Sequence, residues 1–208
     1  INGGKISYYG PTLVFPANVG VNVLSKIYWF GDAGFEKYFG KYMVAAFRHS
    51  DLFLDIGSNF GFYSVLACKT NPSIFSYCFE PVDFLQKDNR LFHKINQVDQ
   101  YQLIDKALGD TEGTAIILIP LQKELRFLIT SATLSSDFAN EKGFGVGKKE
   151  IGITKLDTFI KGVSDERKLR KDSRIVIKID VEGFEFSVLK GAIDVFTDYK
   201  PVVFIEIF

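Results

Sequence analysis

The sequence predicts an α/β fold in which a mostly parallel, doubly wound sheet carries helices on both faces. Three observations lead there. Short runs rich in Ile, Val and Phe are apolar almost without interruption, as strands covered on both faces must be. Stretches of helical periodicity separate them, so that each strand–helix–strand unit closes as a right-handed crossover. The first run also passes directly into a turn bearing Gly57 and Gly61, the position at which such sheets bind ligands.

The predicted strands are Leu52 to Ile56, Ile74 to Phe79, Tyr101 to Ile104, Ile175 to Ile179 and Val202 to Ile207. Between the first two, Phe60 to Lys69 carries Tyr63, Leu66 and Ala67 at helical spacing and stops at Asn71-Pro72. Asp83 can cap the next helix, whose Phe84, Leu91, Phe92 and Ile95 share a face. After the fourth strand, Phe184, Val188, Leu189 and Ala192 repeat at three and four residues.

Two stretches break the alternation. Ala115 to Leu121 and Arg126 to Ile129, joined by Gln122-Lys123-Glu124, read as an inserted antiparallel hairpin. Ser131 to Lys149 then reads as a mobile loop before Ile151 to Thr154, and substrate selection usually resides in such insertions. Ser164 to Arg174 is charged and reads as a solvated connection. Residues 1–50, with Tyr28, Trp29, Phe30, Phe35, Tyr38 and Phe39, are expected to form an N-terminal lid packed on a domain spanning 51–208.

Composition narrows the partners. At 47% hydrophobic the 208 residues form a full core, which excludes a disordered chain. Lys plus Arg and Asp plus Glu are equal at 25 each, so no net field draws the chain to nucleic acid or an acidic membrane. Cys68 and Cys78, ten apart in apolar elements, match neither a metal site nor a disulfide framework and read as buried thiols of a reducing compartment. No apolar run approaches the roughly 20 residues that span a bilayer, and no charged start precedes an apolar leader, so a cytoplasmic location is expected. The stop at Phe208, directly after a strand, leaves open that the chain is part of something longer.

Asp55 to Ser64 is the most informative stretch. Gly57 and Gly61 let the backbone approach a ligand, and Asn59 is the non-glycine residue that best accepts positive φ between them. A dinucleotide fingerprint would need glycine at Asn59 and Phe62, so a pyrophosphate is not provided for. Asp55 would repel phosphate and attract an ammonium, while Glu80, closing the second strand and held by Pro81, suits ribose hydroxyls. A ligand with an ammonium, a ribose and no phosphate is S-adenosyl-L-methionine. Ser58, Phe62 and Tyr63 belong to the same turn. Asp105, or the backbone of Lys106 and Ala107, is a candidate for the adenine edge. The structural alternative is that each acid merely caps a helix.

D-I-G-S-N-F-G-F-Y-S from Asp55, F-E-P from Phe79, A-L-G-D from Ala107, T-K-L-D-T-F from Thr154, K-I-D-V-E-G-F-E from Lys178 and L-K-G-A from Leu189 together resemble the FkbM family of methyltransferases in order and spacing. The resemblance runs from about Asp51 to Phe208. It implies the Rossmann-like fold of class I methyltransferases, although the chain stops after the fifth of the usual seven strands. It further implies S-adenosylmethionine-dependent O-methylation of a hydroxyl on a sugar, glycan or secondary metabolite. Asp55, Gly57, Asn59, Gly61 and Glu80 fall on its cofactor positions, and Asp180 falls beside the transferred methyl.

For the chemistry, Asp180 is the first candidate for a general base or for orienting the acceptor, Glu182 the next, with Lys178 beside them. Glu185 belongs to the same cluster after the fourth strand, and Glu206, ending the fifth and adjacent strand, is expected to face the same cleft. Alternatively, Lys178 simply pairs with a carboxylate and Glu185 opposes a helix dipole; a Mg²⁺-binding acid cluster ranks below a metal-free site. His49 is a weak base candidate, and His93 reads as structural at the polar edge of its helix. Rival functions are RNA ribose 2′-O-methylation, disfavoured by the neutral charge, a catalytically silent binding module, and an NAD-dependent dehydrogenase.

Overall fold

The computed structural model of the protein describes residues 3–120, 134 and 146–207. Its centre is a five-stranded parallel sheet of β3 (Leu52–Ile56), β4 (Phe75–Phe79), β5 (Tyr101–Ile104), β9 (Ile175–Ile179) and β10 (Val202–Ile205), in the order β10-β9-β3-β4-β5. All five runs predicted as strands are therefore strands, with ends shifted by one or two residues, as Ile74 precedes β4 and Glu206 follows β10. The order reverses between β3 and β9, which places a topological switch point at the carboxyl ends of those two strands.

Every residue of β3 and β9 is buried, because each face of the sheet is covered. Leu54, Ile56, Ile177 and Ile179 pack on one side with α5 (Leu156–Arg167), α6 (Glu185–Lys190) and α7 (Ile193–Tyr199) through Leu156, Val188 and Val195. Phe53 and Val176 point to the other side, into a core shared with α3 (Phe62–Thr70) and α4 (Asp83–Ile95) through Leu66 and Phe92. On that second face the alternation turns polar towards the carboxyl ends. Two residues beyond Phe53 stands Asp55, and two beyond Val176 stands Lys178; the pair sits in register across β3 and β9. Phe204 lies opposite Lys178, and Glu206 follows it.

The first fifty residues hold a hairpin, β1 (Gly4–Ser7) with β2 (Thr12–Phe15), then α1 (Val21–Phe30), a single 3₁₀ turn (Gly31–Gly34) and α2 (Phe39–Phe47). Tyr8, Leu13, Phe15, Ile27, Met43 and Phe47 enter the same core as Phe62 and Leu66. Fully buried side chains of this size each contribute about 1.5–3 kcal/mol by leaving water. The Asn96 side chain adds a two-way bridge: it accepts from Val14 N and donates to Val14 O, both at 2.8 Å.

A smaller sheet of β6 (Lys106–Leu108), β8 (Val146–Thr154) and β7 (Gly113–Pro120) flanks the first. β7 covers most of the first predicted hairpin arm, and its antiparallel partner is β8 from Val146 onward; the second arm, Arg126 to Ile129, lies outside the described residues. β8 takes in the end of the stretch read as a mobile loop. Lys148, Lys149 and Glu150 disguise it, since a strand with one face solvated loses its apolar run. The charged stretch Ser164 to Arg174 is a largely exposed connection after Arg167, as expected, but it begins inside a helix. Its first residues finish α5, and the Arg167 guanidinium lies 3.6 Å from the Phe75 ring centroid while donating to Tyr77 Oη at 2.8 Å. Among the described residues no helix is long and apolar enough to cross a membrane, and Cys68 and Cys78 are both free and buried.

Candidate functional site

A cavity of about 950 Å³ opens at the switch point, at the upper end of the range for small-molecule sites. Its floor is the β3–α3 turn. Gly57 has φ +75°, Asn59 φ +51° and Gly61 φ +84°, so Asn59 does adopt the left-handed conformation that its residue type suggested. A Cβ on Gly57 would stand 1.9 Å from Asp180 O, so only glycine lets the ends of β3 and β9 come together here. The turn is pinned by Gly57 N and Ser58 N, which both donate to Phe79 O at 3.1 and 3.0 Å.

Helix α4 braces the turn from behind. Asn89 Nδ2 donates to Ser58 Oγ and to Asn59 O at 3.2 and 3.0 Å. His93 stacks on Tyr101, sets Nδ1 2.9 Å from Asn89 O and Nε2 3.0 Å from Ser64 Oγ. Because a carbonyl only accepts, Nδ1 carries the proton. Burial pushes the His93 pKa down to about 4, so the ring is neutral. His93 is thus structural, but deep in the core rather than at a polar helix edge.

Glu80 closes β4 and is 4% exposed. Its Oε2 accepts from Asn59 N at 2.9 Å and its Oε1 from Val82 N at 3.0 Å, so one carboxylate ties the turns after β3 and β4 together. Burial still raises its pKa to about 7, against the two amides. Each oxygen keeps a further lone pair for a ligand hydroxyl.

Asp55 sits deeper than the sequence suggested. It is 1% exposed, does not line the cavity, and among the described residues neither Oδ has a hydrogen-bond partner. Burial raises its pKa to about 6, with Lys178 opposing and Asp180 adding to the rise. Lys178 donates to Asp180 Oδ2 at 2.8 Å. Burial alone would discharge that ammonium, but Asp180, Asp55 and Glu36 around it hold its pKa above the ordinary lysine range.

Of the residues singled out from the sequence, Gly57, Ser58, Asn59, Phe62, Tyr63, Glu80, Pro81 and Ala107 line this one cavity together with Lys178, Asp180 and Glu182. Gly61 does not; it stands behind the turn, where a Cβ would meet His93 and Asn89 at 2.7 and 2.9 Å. Asp105 and Lys106 are exposed and outside the lining, which leaves Ala107 as the contribution of that segment. Glu185 opens α6, with Oε1 accepting from Val181 N and Gly183 N at 3.3 and 3.0 Å; it closes the turn after β9. His49 is exposed just ahead of β3, at the amino end of that strand and so away from the carboxyl ends where the cavity opens. Sequence reasoning missed Lys26 and Glu36, which reach the cavity from the N-terminal segment, and the apolar wall of Phe84, Leu91, Ile117 and Phe184.

Residues 55–208 match the methyltransferase FkbM domain. The chain belongs to the FkbM methyltransferase family. No curated protein sequence matches it. The family match begins at Asp55, the residue that enters the glycine turn, and so takes in the cavity floor, Glu80 and the Lys178–Asp180 pair of this FkbM domain. Residues 17–23, Lys26, Phe35 and Glu36 lie outside the matched span and yet complete the wall.

Proposed function

We propose that this FkbM methyltransferase uses S-adenosyl-L-methionine to methylate a hydroxyl of a sugar, a glycan or a secondary metabolite. The observation that carries the cofactor reading is the glycine-floored cavity at the switch point with Glu80 at one end and the Lys178–Asp180–Asp55 group at the other. The donor set fits a nucleoside joined to a cationic amino acid: an acidic residue for ribose hydroxyls, an apolar wall for adenine, and an orphaned buried carboxylate, Asp55, under the cationic end.

When bound, the cofactor supplies a methyl group on a positively charged sulfur. The chain has to align the acceptor oxygen and accept its proton. Asp180, at the end of β9, is the residue proposed for that proton, with Lys178 holding it in place through Oδ2 and Glu182 as second candidate. Residues 1–50 are proposed to act as the lid over the 51–208 domain, since Lys26, Phe35 and Glu36 wall the cavity. The two free, buried thiols fit a cytoplasmic location.

Titration calorimetry tests the cofactor half: S-adenosylmethionine should bind with micromolar affinity, Glu80→Ala should abolish binding, and NAD should give no heat. A panel of monosaccharides and hydroxylated aromatic and polyketide compounds tests the acceptor half. Binding with no methyl transfer to any of them would favour a silent module.

A further inference from the structure

Among the first fifty residues, which lie outside the matched span, one acid reaches the cavity. Glu36 leaves the 3₁₀ turn ahead of α2 and lines the cavity beside Tyr63, Lys178 and Asp180. Its backbone has φ +41°, a left-handed conformation that costs a side-chain-bearing residue about 1–2 kcal/mol. The surroundings hold it there. Phe39 N and Gly40 N donate to Glu36 O at 2.9 and 3.0 Å, Tyr8 Oη donates to Phe35 O at 2.8 Å, and the Phe35 ring packs edge-on against Phe62. Tyr63 Oη donates to Glu36 Oε2, which fixes the carboxylate directly above the helix that follows the glycine turn.

Charge around this carboxylate is unbalanced. Glu36, Asp55, Asp180 and Glu206 all act on the Lys178 region, and Lys178 already donates to Asp180. Among the described residues the Asp55 carboxylate has no hydrogen-bond partner. Among the described residues Glu36 has no ion-pair partner, and Lys26, the other nearby ammonium, stands 5.9 Å from the Phe35 ring centroid. Four carboxylates against two ammonium groups, Lys178 and Lys26, leave an excess of negative charge that favours a further cation. Asp55 is covered and cannot touch a ligand in the cavity, whereas Asp180 has one oxygen taken by Lys178. Glu36 lines the cavity where Tyr63, Lys178 and Asp180 meet and accepts from a single phenol, so its carboxylate keeps capacity for a cation there.

We infer that Glu36 binds the ammonium of the cofactor's amino-acid end, so that a residue outside the FkbM domain completes the cofactor site. This rests on the S-adenosylmethionine reading proposed above. The charged hydrogen bond requires both the carboxylate and the ammonium, which a two-by-two comparison isolates. Wild type and Glu36→Gln are each titrated with S-adenosylhomocysteine and with its deamino analogue, in which hydrogen replaces the amino group. Glutamine keeps the acceptor for Tyr63 Oη, so the local fold is retained. Glu36→Gln should weaken S-adenosylhomocysteine binding about tenfold or more, the range of a hydrogen bond between charged groups, and change binding of the deamino analogue by less than about twofold. Glu36→Asp, which keeps the charge one methylene back, should recover part of the loss and serves as the second variant if Gln lowers stability. Equal weakening of both ligands, or of neither, overturns the role of Glu36. Failure of S-adenosylhomocysteine to bind the wild type overturns the cofactor reading itself, a distinct result.

Discussion

Replacing Gly57 by alanine should be among the most damaging single-methyl additions in the chain. Two costs combine. The residue has φ +75°, where a side chain costs about 1–2 kcal/mol. The added Cβ would also stand 1.9 Å from Asp180 O and 3.4 Å from Val181 Cγ1. Asp180 O is backbone and cannot swing away, because Asp180 N donates to Ile56 O at 3.1 Å and β9 is held in register on β3. Relief therefore requires the two strand ends to part, an overpacking cost of about 1–3 kcal/mol. The total, about 2–5 kcal/mol, corresponds to a Tm lower by roughly 5–20 °C for a domain of this size. Urea unfolding followed by circular dichroism measures it. Gly113→Ala is the control, since that glycine has φ +122° but nothing within 4 Å of the added Cβ, so it reports strain alone. If Gly57→Ala costs no more than Gly113→Ala, the close approach of β3 and β9 is refuted. The same variant should lose binding of S-adenosylhomocysteine, because the cavity floor moves with the strand ends.

Other perturbations separate the remaining forces. Gly162 lies inside α5 at ordinary φ with open space around it, so Gly162→Ala should stabilise the fold by about 0.5–1 kcal/mol in urea unfolding. Asn96→Ala removes both bonds to Val14 and leaves that backbone pair unsatisfied, at a cost of about 2–3 kcal/mol; hydrogen exchange should accelerate first in the β1–β2 hairpin. Glu80 has a folded pKa of about 7 against an ordinary 4.5, so the native state binds the proton more tightly. Its contribution is complete below about 4.5 and lost as pH rises to about 7, and Glu80→Gln should gain stability relative to wild type between pH 5 and 8 in paired urea titrations. A constant difference across that range would contradict the burial of an ionisable Glu80.

Much of this architecture is local in origin. The runs at β3, β4 and β9 are apolar almost throughout and are buried, so their burial was legible without knowing the neighbours; β10 and β5 carry the same apolar signal but stand at the two edges of the sheet, where Val202, Val203 and Gln102 are exposed. The turn from Asp55 to Gly61 carries its own conformational signature, since Asn59 between two glycines is the pattern of repeated positive φ, and that is the geometry found. Helix α5 was missed, although Leu156 and Ile160 bury one side of it, because its charged end at Ser164 to Arg167 resembles solvated chain.

Tertiary structure decided what local chemistry cannot encode. Which face Asp55 uses depends on its pairing with Lys178 across the sheet and on what covers that face; a strand residue knows its period but not its roof. Covered, it became a source of field instead of a contact. Glu36 has no motif around it and lies in a segment whose aromatic residues read as packing, so its place beside Tyr63 arises only when distant parts of the chain meet. The sequence by itself determined the strands, the turn and the family they belong to, because hydrophobic period and backbone conformation are properties of neighbouring residues. The contents of the cavity were set by the fold, because distance and desolvation between residues far apart in the chain exist only once it has closed.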